Sequence, residues 1–132
     1  MGLQHLNIWA VLVAAVSAFL VGGLWYSPAL FGRVWQRANG FGEPPAPSGK
    51  VFAGAFLTSL VMAFNLAMFL NDDKTTTAWG ATAGFLAGFG WMAMGVAMIS
   101  FFERRPWSYI LVNGGYVTVA LVLMGTILGA WR

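Results

Sequence analysis

The chain has no cysteine and a single histidine, His5. Disulfides, thiol nucleophiles and thiolate metal sites are therefore excluded, and one copy cannot assemble a histidine metal cluster. Charge is scarce too, with 4 acidic and 7 basic residues in 132. Its distribution says more than its amount. Residues 6–26, 51–70, 78–102 and 108–131 contain no Asp, Glu, Lys or Arg. Ion-coupled pumps and exchangers need a buried acid, base or histidine to carry the coupling charge. Small multidrug exporters share this length and four-helix pattern, but they depend on a membrane-embedded glutamate that this chain lacks. Enzyme signatures are missing as well: there is no nucleophile elbow, no HExxH, no P-loop, and no histidine placed to serve Ser27 as a base. The expectation is a non-enzymatic protein with no cofactor and no metal.

Apolar residues make up what is there. They are 59% of the chain, and the mean hydropathy is +0.73. A helix needs about 20 apolar residues to cross a hydrocarbon core of ~30 Å. Each of the four uncharged stretches meets that length. The predicted fold class is therefore all-α: one integral membrane domain, residues 1–132, formed by a bundle of four transmembrane helices. The first stretch reads as an uncleaved span, since it has no basic leader and Gly22-Gly23-Leu24-Trp25-Tyr26 is no Ala-x-Ala cleavage site. A pI near 9.8 can point to nucleic acid. Here the basic residues lie at the ends of apolar spans, which reads as membrane orientation and not as nucleic-acid binding. Arg33, Arg37, Lys50, Arg104 and Arg105 fall on one side, and Lys74 and Arg132 on the other. The excess of basic residues marks the cytoplasmic side. Both termini are then expected outside, in a bacterial inner membrane.

The first helix is expected over residues 7–25, closed by the interfacial rings of Trp25 and Tyr26. Ser27-Pro28 breaks it, and Ser27 is suited to cap a second helix with Pro28 at its first position. That helix, residues 28–38, places Leu30, Phe31, Val34, Trp35 and Ala38 on one face and Arg33, Gln36 and Arg37 on the other. This is the pattern of a short helix lying in the membrane surface, where Arg33 and Arg37 can meet headgroup phosphate. Asn39-Gly40 ends it, and the proline-rich segment 42–49 is read as loop. Thr75 or Thr77 is expected to cap the third span. Asp72 and Asp73 are read as turn and cap residues, since the stretch has too few oxygen ligands to hold a cation.

Small residues recur every fourth position: Ala10, Ala14, Ala18 and Gly22; Ala55, Ser59, Ala63 and Ala67; Gly80, Gly84 and Gly88; Gly125 and Gly129. Residues at this spacing share a helix face and let a neighbouring backbone come close. Any of these stripes can pack within one copy or between copies, and a homo-oligomer surrounded by membrane lipid is expected. Asn65 and Asn113 are the polar side chains most costly to leave unpaired in lipid, so each is read as an interhelical hydrogen bond or a ligand contact, and Tyr116 is a further candidate ligand or lipid contact. Proline at the Trp25-Tyr26-Ser27-Pro28 junction leaves backbone carbonyls without helical partners. With the nearby hydroxyls and indole, they form a candidate binding spot for a headgroup or small amphiphile.

Trp25-Tyr26-Ser27-Pro28, preceded by Gly22 and followed by Phe31-Gly32-x-x-Trp35, resembles the bacterial and fungal membrane proteins called domain of unknown function 1761. Asn113-Gly114-Gly115-Tyr116 and Met124-Gly125-x-Ile127-Leu128-Gly129-x-Trp131 are similar to that family's last span. The resemblance covers essentially the whole chain. It implies a small four-span protein and carries no catalytic residues. Two functional expectations follow: an oligomeric protein that binds a lipid-like or neutral ligand or supports a membrane partner, and an oligomeric pore or uncoupled small-solute transporter.

Overall fold

Asn7 starts the first helix. Its side chain accepts the Ala10 N–H at 3.2 Å and caps α1 (Ile8–Trp25), satisfying a donor that the first turn leaves without a partner. The computed structural model describes residues 6–40 and 49–131, and all its regular elements are helical. After α1 the chain does not enter a second helix at Pro28. Residues 27–31 form a turn, and α2 (Gly32–Asn39) begins at Gly32. Ser27 is not a cap for α2. Its hydroxyl turns back and donates to the Leu24 carbonyl at 2.6 Å, while its own carbonyl accepts the N–H groups of Leu30 and Gly32. Gly32 belongs at this corner because a Cβ there would run into the backbone of Tyr26 and Ser27. Gly40, at φ 73°, closes α2 in the left-handed conformation that Asn39-Gly40 suggests.

The next helix, α3 (Gly49–Phe69), starts at the last residue expected in the loop. The remainder of that loop, residues 42–48, lies outside the described residues. A tight turn follows. Asp72 Oδ1 accepts both the Lys74 N–H and the Thr75 hydroxyl. Thr75 is thereby spent on the turn, and the cap falls to Thr76, whose Oγ1 accepts the Trp79 N–H at 3.1 Å. The third span is continuous over Thr77–Phe102. It is made of α4 (Thr77–Ala87), a π-helical segment (Gly88–Ala93) and α5 (Met94–Phe102). Arg104, at φ 58°, then brings the Arg105 N–H to the Ser100 carbonyl at 2.9 Å. The last helix, α6 (Trp107–Ala130), follows Pro106.

Four helices are long and apolar enough to cross a membrane: Ile8–Trp25, Gly49–Phe69, Thr77–Phe102 and Trp107–Ala130. Their packing order is α3, α1, α6, third span, with α2 resting on α6. The small-residue stripes are what bring these neighbours together. Ala10, Ala14, Ala15 and Ala18 are buried between α1 and its two neighbours, and Ser59, Ala63 and Ala67 are buried on α3. Phe19 of α1 meets Phe52 and Phe56 of α3 edge-on. The closest approach is between the third span and α6. A Cβ on Gly80 would collide with the Gly125 carbonyl, one on Gly84 with the Leu121 carbonyl, and one on Gly88 would lie 2.8 Å from the Thr118 Cα. The reverse also holds, since Gly125 faces the Gly80 carbonyl and Gly129 faces that of Thr76. Backbone therefore packs directly on backbone, and dispersion between the two main chains supplies the attraction that lipid does not. Large apolar side chains such as Leu20, Val61, Phe69, Trp91 and Phe102 remain on the outside.

Candidate functional site

The residues that close α1 converge on the first half of α6. The Trp25 indole N–H donates to the Val112 carbonyl at 2.9 Å. The Tyr26 hydroxyl donates to Asn113 Oδ1 at 2.5 Å, and Asn113 returns its own N–H to the Tyr109 carbonyl at 3.1 Å. Tyr116 donates to the Ala18 carbonyl at 2.9 Å, and its ring lies over Gly22. Rings fill the rest. Tyr26 meets Trp35 and Tyr116 edge-on, each at 5.5 Å between centroids, and Trp25 meets Phe31 at 4.6 Å. Gly115 is the gap into which the Trp25 ring fits.

The donors that the junction was expected to offer a ligand are engaged inside the chain. The Trp25 indole, the Tyr26 hydroxyl and the Ser27 hydroxyl each donate within the chain. They form a latch that fixes the α1–α2 corner on α6, and among the described residues the two sequence motifs meet in that one latch. Tyr26→Phe keeps the ring and removes the donor to Asn113. It is expected to lower the unfolding free energy by about 1–2 kcal/mol, because the Asn113 oxygen loses its partner. Thermal unfolding in detergent, followed by circular dichroism, checks this.

Asn65 makes no hydrogen bond to another helix of the same copy among the described residues. It is exposed on the outer face of α3, and its side chain donates to the Val61 carbonyl of its own helix at 3.0 Å. Arg33 and Arg37 are exposed on α2. Trp35 turns inward to Tyr26 and does not share the exposed face of Leu30, Phe31 and Val34.

At the other end of the molecule is a feature the sequence reading missed. An open cleft of about 780 Å³ lies where α1 begins, α3 ends and α6 ends. Leu6, Ala67, Leu70, Leu128 and Trp131 give it apolar walls, and Asn7, Asn71, Asp72, Asp73 and Thr75 give it a polar edge. Asn7 holds one side in place by donating to the Trp131 carbonyl at 3.3 Å. A signal did exist: with four antiparallel spans, Asn7, the 71–75 turn and Trp131 all come to the same side. Amides and carboxylates above apolar walls suit a molecule with a polar head and an apolar body. No group of metal-binding side chains occurs among the described residues.

Fold and surface together define a small all-helical protein of four membrane-length spans. A model of the family described as "Protein of unknown function (DUF1761)" matches residues 9–129. The chain belongs to that family, as the Trp25–Trp35 motif and the last span led us to expect. No curated protein and no solved structure matches it.

Proposed function

We propose that this chain is a non-enzymatic inner-membrane protein that acts as a homo-oligomer and holds a lipid-like amphiphile at the cleft between the start of α1 and the ends of α3 and α6. The cleft carries this reading, because it combines apolar walls with the polar edge of Asn7, Asn71, Asp72, Asp73 and Thr75. A pore within one copy has less support. Among the described residues the buried polar side chains are Ser59, Thr75 and Ser100, on three separate elements, and small apolar residues close the contacts between helices. In this reading α2 lies at the membrane surface. Leu30, Phe31 and Val34 face the acyl boundary, and Arg33 and Arg37 face phosphate.

Native mass spectrometry from lipid nanodiscs tests the ligand. Asp73→Lys reverses the charge at an exposed position on the cleft edge. It is expected to lower amphiphile retention about tenfold, equivalent to ~1.4 kcal/mol, with thermal stability unchanged. Equal retention in the two proteins would rule the cleft out as the site.

Orientation follows the basic asymmetry, with the cleft outside. In intact cells, Lys74→Cys is expected to react with an impermeant maleimide and Gly49→Cys to stay unlabelled. The opposite pattern would invert the protein.

A further inference from the structure

Asn65 is the polar side chain that the packing of a single copy leaves in the wrong place. It sits one turn inside the end of α3, whose 21 residues only just reach across the hydrocarbon. Its side chain points outward, opposite Ser59, Ala63 and Ala67, which are buried against the rest of the molecule. A carboxamide offers two donors and a carbonyl oxygen. Among the described residues Asn65 uses one donor, on the Val61 carbonyl. The second N–H and the oxygen make no bond within the copy, and leaving them unbonded inside a span that crosses hydrocarbon is expensive.

The surface around Asn65 has a definite pattern. Gly54, Thr58, Val61, Asn65 and Met68 are all exposed. They advance in steps of four, three, four and three, the repeat of a seam between two helices crossing at a shallow angle. Nothing lies within 4 Å of the place a Cβ would occupy on Gly54, and the Thr58 hydroxyl bonds back to its own helix, so backbones can approach there. Gly80, Gly84 and Gly88 of the third span and Gly125 of α6 are already used against each other. Whatever covers this seam must offer both a donor and an acceptor at the depth of Asn65. A second copy inserted in the same orientation does so. A two-fold axis along the membrane normal brings each residue of the seam to its own counterpart, and a pair of carboxamides exchanges N–H and oxygen in both directions.

We propose that the outer face of α3 is the self-association surface of this protein, with Asn65 of one copy hydrogen bonded to Asn65 of the second. The proposal rests on the homo-oligomeric reading above and names its interface. The absence of native cysteine makes the test direct. In membranes, Val61→Cys should form an interchain disulfide, and Met98→Cys, exposed on the third span, should not. Asn65→Val should lower the dimer population at fixed protein-to-lipid ratio about tenfold, and Asn65→Gln should restore part of it. The melting temperature of the single copy should not move, since Asn65 contacts no other helix. A wild-type oligomer that survives Asn65→Val and gives no Val61→Cys disulfide would overturn this surface and leave the oligomeric reading standing. A wild-type protein that is monomeric at every protein-to-lipid ratio would overturn both.

Discussion

Gly84→Leu is expected to force the third span away from α6 and to lower the unfolding free energy by about 3 kcal/mol, the upper end of the range for overpacked contacts. Even one methyl at Gly84 has no room, because it would meet the carbonyl of Leu121. The obstacle is main chain, so no side chain can rotate away to relieve it. Leucine adds the rest of its volume at the same point. The neighbouring contacts at Gly80–Gly125 and Thr76–Gly129 then open as well, and each loses its dispersion. Gly125→Ala should produce a milder form of the same defect. Gly23→Ala is the matched control, since nothing lies within 4 Å of a Cβ there. Denaturant titration in mixed micelles should rank the three in that order. A Gly84→Leu protein as stable as the parent would mean that the third span does not pack on α6 through this face. The contact lies within one copy, so the proposed oligomer should keep its size.

Trp25→Ala is expected to cost about 3 kcal/mol, at the lower end of what truncating a packed tryptophan does because the ring is only half-buried. It removes the bond to the Val112 carbonyl, the contact with Phe31 and the ring that fills the space over Gly115. Trp25→Phe should recover the packing but not the bond. The difference between the two variants therefore separates the ring from its N–H. The readout is the unfolding midpoint, together with proteolysis near Arg33 and Arg37, because α2 is held through this corner. If the corner stays protected and the midpoint does not move, the latch does not hold α2.

The spans were legible because hydrocarbon imposes a length, and stretches of 20 to 25 residues without charge leave little choice. Asn7 and Gly40 could be read as a start and a stop, since each acts through bonds to residues close by in the chain. Which stripe meets which could not be read. Gly80, Gly84 and Gly88 offer the same flat face to any partner, and only the three-dimensional arrangement selects Gly125 and Leu121. The cap at Thr76 was hidden behind three consecutive threonines, of which Asp72 takes the first. The π-helical segment was hidden for a related reason. A helix apolar all round has no amphipathic rhythm for one wide turn to disturb. The candidate site divided in the same way. Trp25, Tyr26, Asn113 and Tyr116 stood out as polar groups in apolar surroundings, but their pairing spans 87 or more positions of sequence. The cleft is assembled from three chain segments that look ordinary one at a time.

The spans differ in reach as well as in sequence. Eighteen residues carry α1 about 27 Å along its axis, and 26 residues carry the third span about 39 Å. No single slab of hydrocarbon matches both. Since each packs on α6, the pair cannot adjust independently. In a bilayer of ordinary thickness the third span must lean, or push Trp79 at one end and Phe102 at the other into the headgroup layer. A thin membrane suits α1 and exaggerates that lean, while a thick one straightens the third span and stretches the fit of α1. Membrane thickness thus acts on this molecule as a mechanical load shared between two unequal struts.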